Sequence, residues 1–290
     1  MLRVHAALFT VALLFSANYV ISKLGMRELS PLAFSWLRIA GAAIVLWFLA
    51  RNEAPLPRED RGNLVLFTIL GVVINAPLFL AGLALTSVQV AAILITAIPV
   101  FALAAAIVMG HERPTATRIG GIALACAGAL LVVGGESFAG TWRSLLGTIL
   151  ILTNCLSYAL YLVISKPAMT RLSPRAVVAR MFALGTLILL PVSAYSLWTA
   201  EWTSVSGGTW VALGVVIAGP TVLAYLLNAW ALRHADSSVV AAYTYVQPVL
   251  ATILGMIFFG EEVRATLILA AVMIFTGVWL AGRASGPIAE

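Results

Sequence analysis

The sequence predicts an all-α membrane protein in which ten transmembrane helices form two inverted five-helix repeats, residues 1–137 and 138–290. Three observations lead to this fold class. Of the 290 residues, 62% are hydrophobic and only 10% are charged. Apolar stretches of membrane-spanning length recur along the whole chain, and short motifs of the first half return in the second. Because a soluble domain carries about 25% charged residues, most of this surface must face lipid.

The predicted spans follow one another with linkers too short to hold a soluble domain. A helix needs about 20 apolar residues to cross the hydrocarbon core, and runs that do not alternate argue against a membrane β-barrel. The first span resembles a secretory signal, but its counterpart in the second half identifies it as a helix. In chain order the spans are 5–23, 31–50, 63–84, 88–109, 117–135, 144–165, 176–197, 208–232, 237–259 and 266–282.

Lys and Arg are distributed unevenly between the two ends of these spans. Twelve of the 17 lie on the side of both termini, Arg38 lies within the second span, and four lie on the opposite side (Lys23, Arg27, Arg143 and Arg264). Since positive loops stay in the cytoplasm, both termini are expected there. The net charge of +6 then reflects topology and contact with lipid headgroups, and no nucleic-acid partner is expected.

The halves share landmarks in the same order. At an offset of 143, Val20–Lys23 recurs as Val163–Lys166 and Pro31 as Pro174. At an offset of 149 the matches are Pro99 with Pro248, Glu112 with Glu261, and Gly128 with Gly277. A repeat with an odd number of helices must cross the membrane in opposite senses, which is typical of secondary transporters that bind their solute near the midplane.

These landmarks resemble the EamA domain of the drug/metabolite transporter superfamily over essentially the whole chain. The residues that carry the resemblance are Asn18–Lys23, Pro31, Arg38, Pro99, Glu112, Gly120, Gly121, Gly128, Pro174, Pro248, Glu261 and Gly277. The resemblance implies an exporter of small metabolites, aromatic or other neutral amino acids among them, working as a monomer in the bacterial inner membrane. One departure is that Met181 occupies the position equivalent to Arg38.

Polar and aromatic residues recur at helical spacing within several spans, which places them on one face of each helix. Such faces are expected to line a cavity suited to a small zwitterion or a mostly apolar metabolite. The alternative is that these side chains join packed helices by hydrogen bonds, with no ligand. The predicted substrate-binding residues are Asn18, Asn75, Phe79, Asn154, Tyr158, Tyr161, Thr221, Asn228, Tyr243 and Gln247.

Five further positions carry expectations of their own. Pro99 and Pro248 are predicted hinges for alternating access, with a static kink as the alternative. Glu112 and Glu261 are expected to cap a helix or to pair with a nearby arginine such as Arg113, Arg118 or Arg264. Arg38 is expected to extend outward to the interface, or else to pair with a carboxylate inside the bundle.

Several classes of site are disfavoured by what the spans lack. All eleven Asp and Glu residues fall at or near span ends, so facilitated exchange or uniport is favoured over carboxylate-based proton antiport. Cys126 and Cys155 have no CxxC or histidine partner, so neither a metal nor a cofactor is expected. No nucleophile–base motif is present. Transport of drugs or phosphorylated sugars, and more remotely a membrane-embedded enzyme, stay as alternatives.

Overall fold

The computed structural model describes residues 2–54, 56–110, 114–139, 142–234, 243 and 246–283, and within these ranges it contains helices but no strands. In chain order the helices are α1 Leu2–Gly25, α2 Pro31–Ala50, α3 Arg61–Thr68, α4 Asn75–Leu85, α5 Val88–Ile95, α6 Ile98–Val108, α7 Ala116–Ala139, α8 Trp142–Arg171, α9 Pro174–Trp198, α10 Gly207–Val216, α11 Ala224–His234, α12 Val246–Phe259 and α13 Ala265–Arg283. Glu112, one of the residues singled out above, lies outside the described residues.

Seven helical stretches of the described chain are long and apolar enough to cross a membrane. Shorter apolar helices, Ala116–Val132, Val246–Phe259 and Ala265–Gly277, occupy three further predicted windows. These observations confirm a helical membrane protein. The count of ten membrane-spanning helices and their division into two repeats stay predictions.

Helix ends follow the local sequence closely. Ser30, Ser87 and Ser206 cap α2, α5 and α10, because each hydroxyl accepts a hydrogen bond from the backbone N–H three residues on. Gly110 and Gly260 follow α6 and α12 with φ of 74° and 63°. A residue in this left-handed conformation ends a helix, and glycine adopts it without a steric penalty. The ends of α6 and α12 are thus formed in the same way in both halves.

Two helices contain a π-helical segment near their middle. Ile69–Ile74 joins α3 to α4, and Ile217–Leu223 joins α10 to α11. Pro220 lies in the second segment and has no N–H to donate, which favours the wider turn. The Thr221 hydroxyl donates to the carbonyl of Val216 at 2.7 Å. Both segments lie in the third predicted span of their half, close to equivalent positions.

The helices pack mainly across the two halves rather than within them. The most extensive contacts join α7 to α13 and α2 to α9, while α1 packs against α10, α11 and α12. A Cβ on Gly277 would lie 2.5 Å from the carbonyl oxygen of Gly121, and one on Gly128 would lie 2.9 Å from that of Ala270. Backbones therefore touch along α7 and α13, where small residues such as Gly121 and Ala125 allow close approach.

Candidate functional site

A cluster of tyrosines lies between the middle of α8 and the start of α11. The ring centroids of Tyr158 and Tyr161 are 5.5 Å apart, and both tyrosines pack together with Tyr225 in one group of buried and partly buried side chains. Tyr225 also makes edge-to-face contacts with Phe15 of α1, at 6.4 Å, and with Phe182 of α9, at 5.6 Å. Four helices thus contribute to one aromatic wall, which we call the tyrosine cluster (Phe15, Tyr158, Tyr161, Phe182 and Tyr225).

Close backbone approach and partial exposure shape this cluster. The π-helical segment brings Gly71 against Tyr161, where an added Cβ would lie 2.9 Å from a ring carbon. Tyr158, Tyr225 and Phe15 keep part of their surface accessible although they lie in the middle of the predicted spans. Aromatic walls with a few polar groups are typical of small-molecule sites. The arrangement therefore suits a solute with an apolar part.

Arg38 corrects one expectation from the sequence. Its side chain does not extend to the interface: the residue is only 8% exposed, and Nε donates to the Thr221 hydroxyl at 2.7 Å. Its guanidinium also lies within electrostatic range of the Tyr225 hydroxyl. Among the described residues no carboxylate lies within ion-pair distance of Arg38. The alternative expectation, a pair with an internal carboxylate, is therefore also wrong for this part of the chain.

Two predicted asparagines link α8 to α4. The Asn154 amide donates to the backbone carbonyl of Asn75 at 2.8 Å. This bond fixes the amide so that the buried Asn154 side-chain oxygen has no hydrogen-bond partner among the described residues. Asn154 precedes Tyr158 by four residues and shares its helix face. A buried acceptor one turn from the tyrosine cluster is suited to receive a donor from a ligand.

The other predicted residues are distributed over the bundle. Asn18 accepts a hydrogen bond from Ser22 of its own helix at 3.0 Å, Phe79 packs edge-to-face on Tyr19, and Asn228 is half-buried. Tyr158 and Tyr161 lie in the tyrosine cluster, and Thr221 bonds to Arg38. The contacts shown for Asn18 and Phe79 lie outside this group.

The two predicted residues of the ninth span lie along α1. Gln247 is buried, and its carbonyl accepts a hydrogen bond from Ser16 at 3.4 Å. Tyr243 bonds instead to His5, near the first turn of α1, at 2.9 Å. Since Phe15 of the tyrosine cluster lies almost three helical turns further along α1, Tyr243 is remote from that cluster.

A second polar network lies at the end of the bundle that carries fewer Lys and Arg, which we call the charge-poor end. Both carboxylate oxygens of Glu261 accept hydrogen bonds from the first two N–H groups of α5, from Val88 at 2.7 Å and from Gln89 at 3.0 Å. Lys23 approaches the same carboxylate at 3.5 Å and donates to the Thr86 carbonyl at 2.7 Å. A carboxylate at a helix N-terminus meets unpaired donors and the positive end of the helix dipole.

Glu261 has the helix-capping role expected of it, and the cation that the structure shows beside it is Lys23, which was not among the expected arginines. Its members come from α1, from the start of α5 and from the loop between α12 and α13. A polar cavity of about 480 Å³ lies beside it, with Gln89, Ser144 and Arg264 also in its lining. The repeat counterpart of Lys23 is Lys166, and Lys166 is exposed. Equivalent lysines thus occupy different environments in the two halves.

Glu28, in the loop after α1, stabilises the start of α10 at the charge-poor end. Its carboxylate accepts hydrogen bonds from the Ser206 backbone N–H at 2.8 Å and from the Ser206 hydroxyl at 3.0 Å. The backbone hydrogen bond, with smaller contributions from the hydroxyls of Thr209 and Ser206, lowers the pKa of the Glu28 carboxyl. The loop contact therefore depends on the charged form of the side chain.

The predicted hinges differ in how much of their surroundings the structure describes. Helix α5 ends at Ile95, Thr96 and Ala97 interrupt the helix, and Pro99 is the second residue of α6. Pro248 is the third residue of α12, and residues 244–245 before it lie outside the described chain. A break therefore accompanies Pro99.

Sequence reasoning missed the roles of Arg38 and Lys23. The signal for Arg38 was its charge within an apolar span, which a position facing protein explains as well as one facing the interface. The signal for Lys23 was its recurrence as Lys166, in a chain where Glu112 also recurs, as Glu261. Neither signal identifies a partner, because Lys23 and Glu261 are separated by 238 positions in the chain.

Comparisons with known proteins agree with this architecture. The profile of the EamA-like transporter family matches residues 2–134 and again residues 145–283. An uncharacterized transporter of Archaeoglobus fulgidus is 26% identical, over 96% of each chain. The inner membrane transporter YedA of Escherichia coli is 23% identical, over 97% of this chain and 93% of YedA. A crystal structure with 18% identity covers 99% of this chain and 98% of its own, with a TM-score of 0.68.

Proposed function

The chain belongs to the EamA-like transporter family, and from this premise we propose that it exports a small neutral amino acid, or a similar metabolite, past the tyrosine cluster. Members of this family are membrane transporters, and the apolar helices of the described chain agree with a multi-pass membrane protein. The single observation that carries the proposal is the packing of Tyr158, Tyr161 and Tyr225 from two helices into one cluster, with the buried Arg38 bonded to Thr221 one turn before Tyr225.

The proposed architecture is ten membrane-spanning helices in two inverted repeats, residues 1–137 and 138–290. Three observations support it. The family profile matches once in each half. The π-helical segments Ile69–Ile74 and Ile217–Leu223 occupy equivalent spans. Gly128 and Gly277 are equivalent positions and each meets the backbone of the facing helix. Inverted repeats place the transported solute at their interface.

The proposed orientation has both termini in the cytoplasm of a bacterium, with the charge-poor end outside. Support comes from the excess of Lys and Arg on the side of the termini and from the inner-membrane location of YedA. We further propose that the protein works as a monomer. On this orientation the Lys23–Glu261 network closes the outer side.

Alternating access then requires two closures that form in turn. The outer closure is the Lys23–Glu261 network, which ties α1 to the start of α5. We propose that the inner closure involves Lys166, the repeat counterpart of Lys23. Exposure of Lys166 fits a state closed outside and open inside. Pro99 and Pro248 are the proposed bending points, supported at Pro99 by the interrupted helix.

The solute is proposed to place its apolar part on the aromatic rings and a donor on the Asn154 side-chain oxygen. Support comes from the lack of a described partner for that oxygen and from its position one turn before Tyr158. The remaining predicted residues, Asn18, Asn75, Phe79, Thr221, Asn228, Tyr243 and Gln247, are proposed to line the path or to support its walls. No ionisable carboxylate of the described residues lies in the cluster, which supports uniport or exchange over proton coupling.

The test is uptake into proteoliposomes of a panel of labelled amino acids, measured with and without a pH gradient. Saturable uptake that is abolished by Tyr158→Ala and reduced by Asn228→Ala is the expected result. Tyr195→Ala is the matched control, because Tyr195 is a tyrosine with 79% of its surface exposed. Uptake that survives both Tyr158→Ala and Asn228→Ala, or that appears only for phosphorylated sugars, would contradict the proposal.

A further inference from the structure

We propose that Arg38 is the residue to which the solute's carboxylate binds, so that the transported solutes are monocarboxylates, amino acids among them. This inference deepens the proposed function and rests on it. The structure places Arg38 next to the tyrosine cluster, bonded to Thr221. The observations that carry it are the burial of Arg38, the donors and the charge that no described residue pairs, and the methionine at the equivalent position of the other half.

Arg38 holds a charge that no described carboxylate neutralises. Arg38 lies in the middle of an apolar helix with 8% of its surface exposed, and the described residues place no carboxylate within ion-pair distance. A buried charge is stable in a membrane protein only when it faces water or finds a compensating partner. Since the described chain supplies no anion, an anionic ligand is the partner that this position favours.

Most hydrogen-bond donors of Arg38 are unused by the described residues. A guanidinium carries five N–H donors in a planar fork, and the structure uses only Nε, which donates to Thr221. The Thr221 hydroxyl in turn donates to the carbonyl of Val216, so its lone pairs are oriented toward Arg38. Held at Nε, the guanidinium has a fixed plane. Its terminal NH2 groups have no acceptor among the described residues and can form the paired contacts that carboxylates accept.

The presence of arginine in only one half favours a carboxylate over a phosphate. The repeat counterpart of Arg38 is Met181, which is 2% exposed in the core. Inverted repeats would have supplied two cations if both halves carried arginine, but this chain supplies one. A phosphate monoester carries between one and two charges at neutral pH, and proteins commonly bind it with several cations. One guanidinium matches one carboxylate in charge and shape.

The aromatic rings near Arg38 indicate the character of the rest of the solute. Tyr225 lies within electrostatic range of Arg38 and makes edge-to-face contacts with Phe15 and Phe182. A carboxylate on Arg38 would therefore have an apolar or aromatic substituent beside these rings. The lone cation also fixes the orientation of the bound solute, because the second half offers no equivalent charge.

The experiment separates the acid group from the rest of the molecule. Binding to the purified full chain in detergent is measured by scintillation competition and by ligand-induced thermal stabilisation. The probes are L-phenylalanine, 3-phenylpropionate, L-phenylalaninamide and 2-phenylethylamine, with the corresponding leucine series beside them. We expect the two acids to bind at least about ten-fold more tightly than the amide and the amine, which corresponds to one charge-assisted hydrogen bond.

Arg38→Gln should reduce this acid preference to about one-fold while leaving the weak binding of the amide unchanged. Arg38→Lys keeps the charge but loses the paired geometry, so it should retain part of the preference. Arg175→Gln is the control, since Arg175 is exposed near the start of α9. A merely structural arginine would change the affinity for all four probes equally.

Two outcomes would overturn the inference: wild-type protein that binds acids and amides equally, or an acid preference that survives in Arg38→Gln. The first requires no variant, so it stands even if the variant does not fold. Failure of the proposed function looks different. If 3-phenylpropionate binds in an Arg38-dependent way and no amino acid is bound or transported, then the carboxylate site holds and the amino-acid assignment falls.

Discussion

Replacing Glu261 with Gln keeps the shape of the side chain and removes its charge from three donors. In the structure the carboxylate accepts the first two N–H groups of α5, from Val88 and Gln89, and lies 3.5 Å from the Lys23 ammonium. An amide offers one acceptor oxygen and turns an NH2 group toward a second donor. The substitution therefore weakens the contact between the loop before α13 and the start of α5.

The size of the effect follows from the kinds of bond lost. Hydrogen bonds to a charged acceptor contribute about 1.5–3 kcal/mol each, and neutral ones about 0.5–1.5 kcal/mol. The change from a charged to a neutral acceptor therefore weakens each of the hydrogen bonds from Val88 and Gln89 by about 1 kcal/mol. The partly buried Lys23 pair adds a smaller amount. A total of about 2 kcal/mol would shift the balance between the closed and open outer side about 30-fold.

Cys155 provides a native reporter for this shift. Its thiol is fully buried and lies 3.5 Å from the carbonyl of Leu94, near the end of α5. When α5 moves outward, Leu94 should leave Cys155 and expose the thiol. We expect Glu261→Gln, in a Cys126→Ser background, to accelerate labelling by a membrane-impermeant methanethiosulfonate added outside. The acceleration should approach about 30-fold if opening limits labelling.

Glu262→Gln is the matched control, because Glu262 is an exposed carboxylate on the same loop. Equal labelling of Cys155 in wild type and Glu261→Gln, with both proteins folded, would refute the reasoning. Equal acceleration in Glu261→Gln and Glu262→Gln would also refute it, since it would reflect only the loss of negative charge around the thiol.

Three further predictions concern stability and motion. Gly277→Leu should lower the midpoint of thermal unfolding, because an added Cβ lies 2.5 Å from a facing carbonyl oxygen and overpacking costs about 1–3 kcal/mol; Gly120→Leu, with open space around its α-carbon, should leave the midpoint unchanged. The pKa of Glu28 is lowered by its hydrogen bonds, so its stabilisation is complete above the ordinary pKa of a glutamate and is lost as the pH falls through the folded-state pKa. The thermal midpoint of wild type should therefore decline more steeply on acidification than that of Glu28→Gln, and parallel curves would contradict this. Pro99→Ala and Pro248→Ala should slow uptake several-fold while ligand affinity stays within about two-fold, because the bend is absent and the site is intact; unchanged uptake in both variants would favour static kinks.

Much of the helical layout could be predicted because its causes are local. Apolar length alone places the helices, and Ser30 and Ser206 mark the starts of α2 and α10. Small residues such as Gly121 predict close helix contact, which the structure confirms against Gly277. These signals need no knowledge of the partner, since a cap or a small residue acts within its own helix or on any backbone that approaches it.

The site was less accessible to sequence reasoning because it depends on which face of each helix meets which neighbour. A helix that is apolar all round gives little sign of its buried face, so the inward direction of Arg38 was not predictable. Tyr243 has helical spacing to Gln247, yet it contacts His5 near the first turn of α1. The π-helical segment around Thr221 is likewise a product of packing, although Pro220 favours it.

The contact between α7 and α13 also bears on how the protein assembles in the membrane. The glycines that join them, Gly121 and Gly277, are far apart in the chain. During synthesis α7 enters the bilayer long before its partner exists, and α1 likewise waits for α10 to α12. Early helices must therefore hold their small-residue and polar faces against lipid or a chaperone until the late helices arrive. The bundle is therefore completed only when the last helices are inserted. A ribosome stalled before α13 would leave a nascent chain in which the glycine face of α7 has no partner helix.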